Sequence, residues 1–364
     1  MRNTELIKYS HLYYLSLYMG ASKIFRRYYE LPDSMVVPLS IAHGIDWGRR
    51  EHPYDIMSPE PIHWGCCPSL ESYSSKSIKP ILFAPHPWLL NIENLNLKVS
   101  DGDGILLIGP PPSPKNDRAL FELIKDDLCN SKFSILIKQR GKYLESIEFW
   151  ESKGVKCYSA GSPDEGFYTR LFNIINLHKV VMAGSFSSAI IFASSIGKDI
   201  KILEDYSFEV FEKSSATIAN SVFRESAKKI IQSYVHNSTQ KNQDLSLKLM
   251  GSEMLTDKAR VRKEFLTLID TLSEPCLDLK NNLIPWKVRK FIARKLSKPN
   301  ILNFKVYDYL ERLFFREKIS IVEVSEFNIW KNGLNSQNFR ETQVSSSNIL
   351  KFASLGSAPN GYNR

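Results

Sequence analysis

The run Gly184-Ser185-Phe186-Ser187-Ser188-Ala189 stands between a β-rich stretch, residues 179–182, and an apolar helical stretch, residues 188–196. Backbone N–H groups and serine hydroxyls converge at such a helix start, which attracts anions. Simple helix capping by Ser187 or Ser188 is the competing reading. His43-Gly44-Ile45-Asp46 sets an imidazole and a carboxylate three residues apart in a glycine-bracketed loop after an apolar strand, residues 35–41. These are groups that take a proton from a hydroxyl. Asp46 is read as the base with His43 beside it, against the alternative of a turn-capping Asp46 and a core-bonded His43. Lys138 and Arg140, in Lys-Gln-Arg-Gly after the strand at 134–138, offer cations to a phosphate or are an exposed strand end. Glu204, just after the strand at 200–203, could accept hydrogen bonds from a ribose or be a solvated strand end.

These residues need elements to hold them. Mixed three-and-four spacing of Tyr14, Leu17, Tyr18, Ala21, Ile24 and Phe25 predicts an amphipathic helix over 9–29, stopped before Pro32. Short strands follow at 35–41, 62–64 and 81–84, the last two running into Gly65 to Pro68 and Pro85-His86-Pro87. Strands at 105–108, 134–138, 155–158, 179–182 and 200–203 alternate with helices at 119–128, 144–152, 165–176 and 188–196, the pattern of a parallel, Rossmann-like sheet. Helices at 222–235 and 258–272 complete the readable part of the chain.

The chain has 364 residues, enough for two cores of ordinary size, and its 43% hydrophobic and 24% charged content is that of a globular protein. Residues 94–104 are poor in large apolar side chains and end in Asp101-Gly102-Asp103-Gly104, a turn-rich composition read as a domain linker. The expected division is an α/β domain at 1–98, a Rossmann-like domain at 104–250, a basic helical extension at 251–322, and a Ser/Asn-rich tail at 323–364. Five scattered cysteines without Cys-x-x-Cys spacing imply reduced thiols. No secretory signal is read at the N-terminus, so the expected location is the cytoplasm. No His/Cys/Asp/Glu cluster has metal-ligand spacing, and the Asp101/Asp103 pair is assigned to the linker turn, so no metal and no cofactor are expected.

Residues 179–203 resemble the late strand, serine/threonine-rich loop, helix and strand of GT-B glycosyltransferases that make bacterial capsule and lipopolysaccharide sugars, including sialyl-, polysialyl- and Kdo-transferase-like families. The likeness in layout covers residues 105–203. It implies an α/β fold of two Rossmann-like domains facing a cleft, with a helical C-terminal extension. It also implies a nucleotide-sugar co-substrate whose phosphates sit on Ser187 and Ser188, with Gly184 and Ser185 close by, and an acceptor glycan on the side of the N-terminal domain. His86-Pro87 is similar to the His-Pro motif of the sialyltransferase-like families, in which the motif belongs to the nucleotide-binding domain, whereas here it precedes the domain boundary. A polyol-phosphate transferase of the teichoic-acid type shares the same frame and is the second enzymatic reading.

A net charge of +9 favours an anionic partner without choosing among nucleic acid, anionic lipid and a phosphorylated substrate. Residues 286–296 mix five cations with Trp286, Phe291, Ile292 and Leu296, which suits either an interfacial helix on an anionic membrane or a solvated basic helix. The non-enzymatic alternative is a basic binding protein for nucleic acid or a membrane surface. With no RNA-binding signature or repeated aromatic-basic platform, nucleic acid is not expected as a partner.

Overall fold

The computed structural model of the chain describes residues 18–41, 60, 62–67, 80–128, 132–139, 143–184, 187–203 and 221–271. Two parallel sheets are present. The first has three strands in the order β1 (Leu39–Ile41), β2 (Ile62–Gly65) and β3 (Ile81–Phe83), in a register that sets Ser40 beside His63 and Trp64 beside Leu82. The second contains β4 (Ile105–Ile108), β5 (Phe133–Leu136), β6 (Lys156–Tyr158), β7 (Val180–Ala183) and β8 (Asp199–Ile202), in the spatial order β6-β5-β4-β7-β8. The chain winds outward from β4 in one direction and then from β7 in the other, the doubly wound pattern of a Rossmann-like sheet.

A parallel sheet covered on both faces needs strands that are apolar throughout. Ile-Leu-Leu-Ile of β4 is buried at every position. Side chains alternate across a strand, so Ile105 and Leu107 join one apolar cluster and Leu106 and Ile108 the other. The first face is covered by α3 (Pro114–Leu128) and α4 (Tyr143–Ser152), through Leu120, Ile124 and Trp150. These helices are cross-linked by the buried Asp117 carboxylate, which accepts from Ser146 Oγ at 2.5 Å and Trp150 Nε1 at 3.0 Å. The opposite face is covered by α5 (Phe167–Asn176) and α6 (Ser188–Ser195).

Beyond α5 and α6 lie α1 (Ala21–Tyr28) and α2 (Pro87–Leu95), which carry the first sheet. Phe25 of α1 meets the Trp64 ring at 5.0 Å, edge to face. After β8, helices α7 (Ser221–His236), α8 (Thr239–Leu249) and α9 (Lys258–Thr271) follow. α8 packs on α6, while α9 returns to β3 and brings Phe265 to 5.0 Å from Phe25. Buried residues of both sheets therefore belong to one contiguous apolar cluster, from Leu39 and Trp64 to Val181 and Ile190.

The segment with linker composition is pinned to the second sheet's helices. Asn176 at the end of α5 accepts from Ser100 N at 2.8 Å and donates to Lys98 O at 3.0 Å, while Ser100 Oγ donates to Asn176 O at 3.0 Å. Lys198, 3% exposed, donates its ammonium to Ser100 O at 2.5 Å and Asn176 O at 3.2 Å. Gly102 sits at φ +69° against the backbone of His178, where a Cβ would lie 2.5 Å from the carbonyl carbon. Only glycine meets both demands at that point.

Candidate functional site at the sheet's switch point

In a doubly wound sheet, ligands bind outside the carboxyl ends of the strands where the strand order reverses. Here that point lies between β4 and β7, which are hydrogen-bonded neighbours sending their following helices to opposite faces. Two loops meet there. One is Gly109-Pro110-Pro111-Pro112-Ser113 after β4, and the other begins at Gly184 after β7 and ends at Ser187 before α6. The described part of the serine run thus occupies the place where doubly wound sheets bind their ligands.

Gly184 closes the gap between the loops. Its N–H donates to Ile108 O at 2.9 Å, and an added Cβ would stand 2.9 Å from Leu120 Cδ1. A side chain at this position would displace Leu120, which is completely buried under the sheet.

The two helix starts at this point differ. α3 caps itself: Ser113 Oγ accepts from Asn116 N at 3.2 Å, and Asn116 Nδ2 donates to Pro111 O at 2.9 Å, fixing the proline-rich loop. α6 does not. Ser187 has the extended conformation of an N-cap residue, φ −142° and ψ 163°, and its carbonyl accepts from Ile190 N at 2.9 Å. Its hydroxyl makes no capping bond, and Oγ is buried without a hydrogen-bond partner among the described residues. A buried hydroxyl left unpaired costs roughly 1–3 kcal/mol. The α6 start thus combines an unused hydroxyl, first-turn N–H groups that no side-chain cap of Ser187 covers, and the positive end of a helix buried from Ala189 to Ser195. That combination suits an anion with acceptor oxygens.

Ser188 is the first residue of α6, beside Ser187. Lys138 is exposed two residues past the carboxyl end of β5, the strand next to β4, and so lies on the same edge of the sheet. Ser185, Arg140, Glu204, His43 and Asp46 lie outside the described residues, as does the basic stretch 286–296.

His86 is accounted for by packing. It is 1% exposed, and its Nδ1 accepts from Trp88 N at 3.1 Å as the N-cap of α2. The ring lies 5.2 Å from Phe192 and 5.9 Å from Tyr168. Burial pushes its pKa down to about 3. Because Nδ1 accepts, the neutral ring carries its proton on Nε2, which has no hydrogen-bond partner among the described residues.

The proline-rich loop after β4 was not among the residues singled out from sequence. Its signal was a glycine directly after a wholly apolar strand, followed by the Ser-Pro start of a helix. Among the described residues no group of three or more His, Cys, Asp or Glu could hold a metal ion, and no helix is long and apolar enough to cross a membrane. No protein-family model matches the chain, and comparisons with curated proteins and with solved structures give no match.

Proposed function

We propose that the chain is a glycosyltransferase of the GT-B type. It would move a sugar from a nucleotide-sugar donor to a growing surface polysaccharide or lipid-linked glycan, at the cytoplasmic face of the membrane. The observation that carries this reading is the Ser187 hydroxyl at the start of α6, buried without a partner among the described residues and set at the switch point of a doubly wound sheet. In the proposal, the donor's phosphate oxygens accept from Ser187 Oγ and the α6 N–H groups, with Ser188, Ser185 and the backbone at Gly184 completing the cradle. Lys138 and Arg140 offset the phosphate charge, and Glu204 holds the ribose.

Asp46, with His43 beside it, takes the proton of the acceptor hydroxyl as that oxygen bonds the anomeric carbon. The bond from that carbon to the phosphate oxygen breaks, and the electron pair stays on the departing nucleotide. Negative charge grows on the phosphate in this step, so donors already aimed at it stabilise the transition state more than the ground state. The domain holding Asp46 and the domain holding Ser187 face each other across the cleft in this reading, and the basic stretch 286–296 rests on anionic lipid.

Titration of the full chain with CMP, CDP, UDP and GDP tests the assignment. One nucleotide should raise the melting temperature, and the Ser187→Ala/Ser188→Ala double variant should lose that shift while remaining folded. Equal shifts in both proteins, or no shift with any nucleotide, would remove the phosphate site and the function built on it.

A further inference from the structure

Away from the switch point, three helices converge on a cleft of about 290 Å³. α1 contributes Lys23 and Arg27, one turn apart, and α2 contributes Asn91 and Asn94. The start of α5 supplies Thr169, with Glu165 just before it. Small-molecule sites begin at about 300 Å³, so this cleft has room only for a ligand at the small end of that range. Among the described residues no aromatic ring lines it, and its lining is mainly polar and charged.

The polar groups divide into two kinds. Arg27 is exposed and has no carboxylate partner among the described residues, while the carboxylate of nearby Asp164 is already paired with Arg170 at 2.8 Å. Lys23 reaches Glu165 at 2.6 Å, but these side chains are 58% and 64% exposed, so water screens the pair and it yields readily to another anion. The asparagines are held in place by one N–H each. Asn91, itself 5% exposed, donates to Thr169 Oγ1 at 3.2 Å, and Asn94 donates to Ile24 O at 3.0 Å. That orientation leaves two amide oxygens as acceptors for hydroxyl groups. Two cations beside two oriented acceptors form a complement to a molecule that carries both an anionic group and hydroxyls.

We infer that this cleft binds a small hydroxylated anion, a sugar acid or a sugar phosphate. Its carboxylate or phosphate lies on the Arg27 guanidinium, whose planar fork matches either group, with Lys23 turned from Glu165 to assist. Its hydroxyls lie on Asn91, Asn94 and Thr169. No residue is shared with the switch-point site, and the inference stands whether or not the chain transfers sugars.

Calorimetric titration of the full chain with glucuronate, glucose 6-phosphate, glucose and inorganic phosphate provides the test. Glucuronate, glucose 6-phosphate or both should bind in the millimolar range, more tightly than glucose and than inorganic phosphate. Binding of one alone identifies the anion as carboxylate or phosphate. Arg27→Ala should weaken it roughly tenfold or more, as expected for a lost charge-assisted pair, and Thr169→Val should weaken it less. Arg27 is exposed, so that variant should fold, and circular dichroism verifies it. The Ser187→Ala/Ser188→Ala variant should bind as the wild type does. Inorganic phosphate binding as tightly as glucose 6-phosphate would overturn the inference, as would indifference to Arg27→Ala, absence of binding by both anions, or loss of binding in the serine double variant.

Discussion

Trp88 Nε1 donates to Ser195 Oγ at 3.1 Å while the same indole stacks on Phe192 at 4.7 Å and 11°, so one side chain of α2 is bonded to two residues of α6. Ser195 Oγ in turn donates to Phe192 O at 2.7 Å, which leaves neither polar atom unpaired. α2 follows the first sheet and α6 lies against the second, and this contact is one of those that join their buried residues in one cluster.

Trp88→Ala should therefore destabilise the whole described fold, by about 3–5 kcal/mol, the usual cost of deleting a buried aromatic. Trp88→Phe keeps much of the apolar contact and should cost roughly half as much, since it loses one hydrogen bond and part of the ring area. Chemical denaturation followed by tryptophan fluorescence and by circular dichroism measures both. A single transition is expected by the two probes, because the buried residues of the two sheets share one cluster. Separate transitions would mean that the two sheets unfold independently.

Much of this arrangement was legible in the chain. The five strands of the second sheet were readable because parallel strands buried on both faces are short apolar runs bounded by turn residues, as in Ile105–Ile108 before Gly109. α2 was not read. Pro85-His86-Pro87 looked like a turn, yet Pro87 is the first residue of a helix and His86 its cap, an N-cap that falls outside the usual Ser, Thr, Asp and Asn set. The segment 94–104 has a linker's composition, poor in large apolar side chains and ending in Asp101-Gly102-Asp103-Gly104. Its fixed position comes from Asn176 and Lys198, far away in sequence, which no local pattern announces. In the serine run, composition located the loop, but whether Ser187 capped its own helix depended on a side-chain orientation that sequence does not encode.

Burial of His86 sets a pH dependence. Its pKa in the folded chain is about 3, against an ordinary value near 6.5, so between those values the unfolded chain binds more protons. The contribution is fully present above about pH 6.5 and is lost as pH falls toward 3, at up to about 1.4 kcal/mol per unit. His178, also lowered chiefly by burial, acts in the same direction. His86→Asn keeps a side chain able to cap α2 but removes the proton. Its stability should fall less steeply than wild type between pH 6 and 4, by about one proton's worth of slope, with the remainder owed to His178 and other groups. Equal slopes in urea melts of the two proteins would show that His86 is not sealed from water.

Gly184→Ala tests the closeness of the two switch-point loops. The new methyl would meet Leu120 Cδ1 at 2.9 Å and Ile108 O at 3.3 Å. Overpacking of this kind costs about 1–3 kcal/mol. Adding Leu120→Ala removes the clashing methyl groups while making a cavity of its own, so the double variant should be more stable than the sum of the single losses. Strict additivity in denaturant midpoints would place Gly184 away from Leu120.

Ser187→Ala separates a structural serine from one kept for a ligand. A serine that caps its helix loses about 0.5–2 kcal/mol when changed to alanine, because a first-turn N–H is left without its acceptor. Ser187 makes no such bond, and its buried hydroxyl has no partner to lose among the described residues. Removing an unsatisfied buried oxygen should leave the free protein as stable as before, or more stable by about 1 kcal/mol. If Ser187 holds a phosphate as proposed, the same change should weaken nucleotide binding by about tenfold, the value of one hydrogen bond to a charged group. Opposite signs in a melting experiment and a binding experiment on one variant are hard to produce by misfolding. If Ser187→Ala instead lowers the melting temperature and leaves nucleotide binding unchanged, Ser187 is an ordinary cap, and the switch point between β4 and β7 loses the one group that marks it as a phosphate site.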